Sequence, residues 1–154
     1  MNAIDYLVGV GLCVAPVAEL RGGLPYLLAR GLAPAAAWLL AVGANLLIVP
    51  LVLVGLDGIE RLLRRSKTAA KLLDAILART RRKGRWIDRF GSLGLILLVA
   101  IPLPGTGAWT GSLAAVLMGV PRRKALLLVA VGVVVAGLLV LFASLGAFRL
   151  FGLG

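Results

Sequence analysis

The chain has 154 residues, of which 61% are hydrophobic and 15% charged, and its formal net charge is +11. A soluble domain of this length leaves much of its surface in water and cannot bury so many apolar side chains in one core. The composition therefore excludes an ordinary soluble protein and predicts an integral membrane protein. One cysteine and no histidine also exclude an intramolecular disulfide, a cysteine-cluster metal site and histidine-based catalysis.

The first apolar region is interrupted in its middle. Its two pieces, Val8–Leu20 and Leu24–Ala33, would form helices of about 20 Å and about 15 Å, and neither reaches across a hydrocarbon core of about 30 Å. The tripeptide Arg21-Gly22-Gly23 separates them. We therefore predict that residues 1–33 form a re-entrant hairpin whose tip is this tripeptide, with Pro25 in the first turn of its second half.

Residues 34–56 contain no charged side chain, and as a helix of about 35 Å they are long enough to span a membrane. Residues 57–90 then carry eleven Lys or Arg residues against four Asp or Glu residues, a net charge of +7. A short basic segment between hydrophobic blocks is typical of the cytoplasmic side of an inner (plasma) membrane. Apolar residues recur in it at helical spacing, and we interpret it as an amphipathic helix on the membrane surface rather than a nucleic-acid-binding element.

The second interrupted region is residues 91–120. Gly91–Ile101 and Ala108–Val120 would form half-helices of about 16 Å and about 20 Å, because prolines and glycines fill the stretch between them. That stretch reads Pro102-Leu103-Pro104-Gly105-Thr106-Gly107. A re-entrant hairpin returns the basic residues 122–124 to the cytoplasm, whereas the alternative, a kinked full span, places them outside, against the positive-inside rule.

Residues 125–148 form a second uncharged stretch of spanning length. The order hairpin, span, basic segment, hairpin, span predicts an inverted repeat whose hairpins enter from opposite faces and meet near the bilayer midplane. The predicted fold is thus an all-α integral membrane protein of one domain. It has two re-entrant hairpins, two transmembrane helices and a cytoplasmic amphipathic helix.

Glu19 is an isolated acid in an apolar stretch, and an arginine follows two residues later. Both are costly at membrane depth unless they line a polar site. The half-helix after Gly23 would present free N–H groups, Arg21 would add a fork suited to phosphate or carboxylate, and Thr106 would cap the half-helix that starts near Gly107. The alternative is a buried ion pair that only stabilises the hairpin. The candidate substrate-binding residues are Glu19, Arg21, Gly22, Gly23, Pro25, Pro104, Gly105, Thr106, Gly107, Trp109 and Thr110; no cofactor and no metal site is predicted.

Two motifs, Glu19-Leu20-Arg21-Gly22-Gly23-Leu24-Pro25 and the decapeptide of residues 102–111, resemble the small multi-drug export protein family, which is similar to the DedA superfamily. The resemblance implies opposed re-entrant hairpins, oligomerisation and transport. DedA relatives are associated with moving undecaprenyl phosphate or phospholipids, and their acid and arginine in the first hairpin correspond to Glu19 and Arg21. The arginines of their second hairpin region have no counterpart between Gly91 and Val120.

Three functions stay open on this basis. The first is a translocase for an anionic lipid headgroup, a polyprenyl phosphate or phospholipid, bound between the hairpin tips and linked to protons through Glu19. The second is proton-coupled export of lipophilic cations, in which Glu19 binds proton and drug alternately. The third is a membrane scaffold without transport. An enzyme is not predicted, since the apolar regions contain no paired acids; the expected partners are the lipid bilayer, the substrate and a second copy of the chain in a homodimer.

Overall fold

A computed structural model gives the fold and describes residues 2–63, 65–103 and 105–150, so the candidate residue Pro104 lies outside the described residues. Within these ranges the chain forms helices and no strand, and the prediction of an all-α protein is confirmed. The helices are α1 (Ala3–Val14), α2 (Glu19–Ala29), α3 (Pro34–Leu63), α4 (Lys67–Ala100), α5 (Ala108–Leu117) and α6 (Arg122–Leu150).

Two helices are long and apolar enough to cross a membrane, judged by length and composition. They are α3, through Pro34–Gly55, and α6, Arg122–Leu150, so a helix of spanning length lies at each predicted position, with nearly the predicted bounds. The two helices pack on each other. Their contact is close at Gly137, where a Cβ atom would lie 2.8 Å from Trp38 Nε1 and 2.6 Å from Val42 Cγ2.

The first hairpin consists of α1 and α2, which pack against each other and have 12 and 11 residues. The predicted position of its break was wrong: Arg21-Gly22-Gly23 lies inside α2, and the helix is interrupted at residues 15–18 instead. The physical reason is Pro16, which disfavours helical backbone at the residue before it, and Ala15 is extended with ψ 134°. Consequently Pro25 lies in the interior of α2 and not in its first turn.

The helix bounds of the second hairpin lie close to the predicted ones. Its first half is the part of α4 after Gly91, whose φ of 56° and ψ of −133° break the helical path, and it ends at Ala100. Its second half is α5, after a turn that contains Gly105 and Gly107 with φ of 72° and 132°. The basic segment, residues 57–90, includes the end of α3 and the part of α4 before Gly91. Most side chains of its predicted apolar face lie outside the described ones, and its amphipathic, cytoplasmic character stays a prediction.

Matching contacts relate the two halves of the chain. The helix α1 packs on α2 as α4 packs on α5, and each hairpin packs on the long helix that follows it, α3 or α6. The second helix of each hairpin also packs on the long helix of the other half, α2 on α6 and α5 on α3. These contacts bring the start of α2 against the turn of the second hairpin.

Candidate functional site

The guanidinium of Arg21 lies in the turn of the second hairpin. Its Nη1 donates to the carbonyl oxygen of Leu103 at 2.7 Å and to that of Thr106. Its Nη2 lies 2.8 Å from Thr106 Oγ1, 3.2 Å from the Ile101 carbonyl oxygen and 3.5 Å from that of Val99. The acceptors thus come from the end of α4 and from the turn that follows it.

This position suits a cation. The last carbonyl groups of a helix have no intrahelical donor and carry the negative end of the helix dipole. A guanidinium offers five N–H donors in a rigid fork, and hydrogen bonds from a charged donor are roughly twice as strong as neutral ones. Arg21 therefore caps the interrupted end of α4 from the opposite hairpin.

Glu19 makes the complementary contact at the other side of the same turn. Its side chain is 3% exposed, and its Oε1 accepts the backbone N–H of Trp109, in the first turn of α5, at 3.2 Å. An acid is favourable at this end of a helix because the first N–H groups are unpaired and the dipole is positive. Gly107 leaves room for the acid: a Cβ atom there would overlap the carboxyl group of Glu19.

The predicted roles of several site residues change. Thr106 does not cap α5; its Oγ1 lies 2.8 Å from the carbonyl oxygens of Ile101 and Leu103 and accepts from Arg21, so it serves the α4 side of the turn. The cap of α5 is Glu19, because the preceding position is a glycine without a side chain. The hydroxyl of Thr110 donates to the Gly105 carbonyl within the turn, at 3.0 Å.

The glycines of the first motif pack within the hairpin. Gly23 faces α1, where a Cβ atom would overlap Cys13 Sγ and lie 2.8 Å from the Gly9 carbonyl oxygen. Gly22 is looser, since a Cβ atom would meet only the Ala18 side chain at 3.0 Å. The free N–H groups predicted after Gly23 are therefore absent, because that residue lies inside α2.

Two donors serve the end of α1. The indole Nε1 of Trp109 donates to the Val14 carbonyl at 3.0 Å, and Asn45 Nδ2, from α3, donates to the Cys13 carbonyl at 2.9 Å. Asn45 is fully buried and its Oδ1 has no partner. The interruption of the first hairpin is therefore capped by residues from outside it, as that of the second is.

Sequence reasoning missed two polar elements. The first is Asn45, an amide in an otherwise uncharged helix, which is itself a signal of a buried partner. The pair Asp5 and Arg30 joins the start of α1 to the end of α2 with an Nη2 to Oδ1 distance of 2.6 Å. Asn2 and Arg30 together hold the pKa of the Asp5 carboxyl below its ordinary range, the backbone N–H of Asn2 contributing most.

The arrangement separates the two charges. Glu19 and Arg21 bind opposite sides of one turn, and in the described part of the chain they form no ion pair with each other. Each charge is matched by the end of a helix of opposite polarity. Glu19 therefore binds the start of α5, and Arg21 binds the end of α4.

Comparison with known proteins identifies the family. The family model described as "Putative small multi-drug export protein" matches residues 19–139, a range that includes Glu19 and Arg21, the turn of the second hairpin, and both long apolar helices for most of their length. Among curated proteins and among solved structures, nothing matches the chain. The family and the two apolar helices fit a membrane location. Because the match covers well over half of the chain, this protein belongs to the family described as "Putative small multi-drug export protein".

Proposed function

We propose that this protein is an exporter of lipophilic cations in which Glu19 exchanges a proton for the substrate. The observation that carries the proposal is that the two charged side chains at the hairpin tips differ in how fully their hydrogen-bonding groups are used. The Nη atoms of Arg21 are surrounded by five acceptors, whereas the Glu19 carboxylate receives the backbone N–H groups of Trp109 and Ala108 and keeps further acceptor capacity. The charge that remains available to a ligand is therefore negative.

The chemistry of the acid supports a cation as substrate. A carboxylate in an apolar environment attracts a cation strongly, because little solvent competes for it. A proton and a cation compete for the same oxygens, so that binding one releases the other. The family description, an exporter of drugs, agrees with this substrate class.

The hairpins are part of the proposal. Helices of 12 and 11 residues are about 18 Å and about 16 Å long, too short to cross a hydrocarbon core of about 30 Å. We propose that α1 with α2, and α4 from Gly91 with α5, are re-entrant hairpins of an inverted repeat, with the basic segment 57–90 on the cytoplasmic side. The matching helix contacts of the two halves support this arrangement.

One observation favours an anionic lipid headgroup instead. Arg21 Nε is buried and has no hydrogen-bond partner, so one donor of the fork is unused. A phosphate would gain a further donor only if the guanidinium left its carbonyl partners, and the partly buried carbonyls among them would then lack donors. For this reason we place the anionic headgroup second.

Transport by purified protein in liposomes tests the proposal. Wild-type protein should exchange tetraphenylphosphonium for protons down a pH gradient, and Glu19→Gln should abolish that flux because a neutral amide neither binds a proton nor attracts a cation. Asp5→Asn is the matched control, since Asp5 is an acid of the same hairpin that contacts Arg30 away from the tips and should retain flux.

The other hypotheses make different predictions in the same vesicles. If a fluorescent anionic phospholipid moves between leaflets and Arg21→Gln stops it while tetraphenylphosphonium is not transported, the anionic headgroup replaces the cation as substrate. If neither probe moves and Glu19→Gln changes only assembly or stability, the protein is a scaffold. We also propose a homodimer, because two spans in one chain enclose little space, and cross-linking in native membranes tests it.

A further inference from the structure

Trp109 connects the candidate transport acid to the interrupted end of the first hairpin. Its backbone N–H donates to Glu19 Oε1 at 3.2 Å, and its indole Nε1 donates to the Val14 carbonyl at 3.0 Å. Val14 is the last residue of α1, so its carbonyl has no donor within the helix. One residue of the second hairpin thus contacts both the acid and the α1 end.

Arg21 makes the reciprocal contact. It comes from the first hairpin and donates to the carbonyls at the end of α4, as Trp109 comes from the second and donates to the end of α1. The two residues hold matching positions, each two residues after a backbone with positive φ, at Glu19 (50°) and Gly107 (132°). Each hairpin therefore donates hydrogen bonds to the helix end of the other hairpin, and we call these the crossed contacts.

The packing next to these residues repeats the match. Two residues after Arg21, Gly23 packs on Cys13 of α1, and two residues after Trp109, Gly111 packs on Val99 of α4. Cys13 and Val99 each stand one residue before the end of their helix. The crossed contacts thus join equivalent points of the two hairpins.

The two contacts differ in strength. Arg21 offers a charged fork to several acceptors, whereas Trp109 offers one neutral N–H to one carbonyl, and charge-assisted hydrogen bonds are about twice as strong as neutral ones. When the tips separate, the contact between Trp109 and Val14 is therefore expected to break first. The end of α1, including the adjacent Cys13, would then become accessible.

We propose that Trp109 is a positioning residue that transmits the protonation state of Glu19 to the end of α1 and so gates the tips. This inference rests on the proposed function, and it identifies the contact between Trp109 and Val14 as the one that opens during transport. A charged Glu19 holds the N–H of Trp109 and with it the indole; a protonated Glu19 is a weaker acceptor, and the indole leaves Val14. The other titratable or charged groups near the acid are Arg21 on α2 and Cys13 on α1, since α5 and the membrane portions of α3, α4 and α6 contain none.

The single cysteine reports this opening. Cys13 is fully buried, one residue before the carbonyl that Trp109 binds. We would measure its modification by a membrane-permeant maleimide in liposomes, dividing each rate by that of the same protein unfolded in detergent at the same pH. This division removes the dependence of thiol reactivity on pH.

Trp109→Phe and Glu19→Gln should each raise the Cys13 labelling rate at about pH 8 by about fivefold, the change expected from loss of one neutral hydrogen bond. Wild-type labelling should rise as the pH is lowered from about 8 to about 5.5, and both variants should have lost this pH profile. Trp38→Phe is the matched control, because Trp38 Nε1 is buried without a partner and its loss breaks no hydrogen bond. It should keep the wild-type rate and profile.

Labelling of Trp109→Phe at the wild-type rate, or equal acceleration in Trp38→Phe, would overturn the gate. If Trp109→Phe does not assemble, the test uses wild type and Glu19→Gln. Equal Cys13 labelling rates of these two proteins at about pH 8, with no rise of the wild-type rate at low pH, would contradict the proposal. The transport assay distinguishes failure of this inference from failure of the proposed function. Cation export without these labelling changes would contradict only the gating role of Trp109. The labelling changes without cation export would contradict only the proposed export function.

Discussion

The two hairpins contribute different chemistry to one contact. The first has a short turn at residues 15–18 and places an acid and a base at the start of its second helix. The second has a longer turn rich in proline and glycine, with no charged side chain, and presents backbone carbonyl and N–H groups. Charges of one hairpin bind helix ends of the other, so neither turn is complete alone. Both interruptions are thus compatible with the proposed position inside the membrane, because the freed backbone groups find partners.

The most severe test of this comparison removes the charge that serves the second turn. Arg21→Met should lower the free energy of unfolding by about 4 kcal/mol, because several partly buried carbonyls lose their charged donor. Unfolding by SDS in mixed micelles measures it. Arg149→Gln, at an exposed arginine near the end of α6, is the control and should change stability by less than about 0.5 kcal/mol. Equal stability of the two variants would mean that Arg21 does not hold the tips together.

The matching glycines sharpen the comparison. A Cβ atom at Gly23 would meet backbone, with the Gly9 carbonyl oxygen at 2.8 Å and the Cys13 nitrogen at 2.9 Å, whereas at Gly111 it would overlap the Val99 side chain. Side chains move more easily than backbone, so Gly23→Ala should cost about 3 kcal/mol and Gly111→Ala about 1 kcal/mol. Gly43→Ala, with nothing within 4 Å, is the reference in the same unfolding assay. A larger loss for Gly111→Ala would show that the second hairpin is the tighter one.

Substitutions at Gly107 and Gly31 distinguish the cost of backbone strain from the cost of a clash with Glu19. Gly107→Ala should cost about 2 kcal/mol, since its φ of 132° disfavours a side chain and the new methyl would overlap Glu19. Gly31→Ala shares only the strain, with a φ of 86° and nothing within 4 Å, and should cost about 1 kcal/mol. In the background of Glu19→Ala the cost of Gly107→Ala should fall by about 1 kcal/mol, because the overlap with the acid is gone, whereas the cost of Gly31→Ala should not change. An unchanged cost of Gly107→Ala in that background would contradict the close approach of Glu19 to the turn.

The smallest effect concerns the open end of the first hairpin, where Asp5 binds Arg30 and the N–H of Asn2. These partners lower the pKa of Asp5 below its ordinary value of 3.8. A lowered carboxyl pKa stabilises the folded state above the ordinary value, and this contribution is lost as the pH falls through the folded value. The melting-temperature difference between wild type and Asp5→Asn should be constant above about pH 4 and shrink below it. A difference that stays constant at lower pH would exclude a folded-state role for the Asp5 charge.

Local sequence signals predicted the second hairpin better than the first. Clustered prolines and glycines at residues 102–107 are incompatible with a continuous helix, so the turn was found where it lies. In the first hairpin a single proline, Pro16, causes the break, whereas the conspicuous Gly22-Gly23 pair continues the helix. A glycine pair is compatible with a turn or with close packing, and only the neighbour that packs on it, here Cys13 of α1, distinguishes the two.

Composition and hydropathy by themselves predicted an all-helical chain with two helices of spanning length and two interrupted apolar segments, because these properties depend on local residue type and length. Glu19 and Arg21 were also identifiable, because isolated charges in apolar sequence are costly. Their partners were decided by tertiary structure. The acceptors of Arg21 lie 78 to 85 residues away, and the N–H that Glu19 binds lies 90 residues away. No local pattern encodes which helix end will meet a given charge, since that depends on how the two hairpins pack.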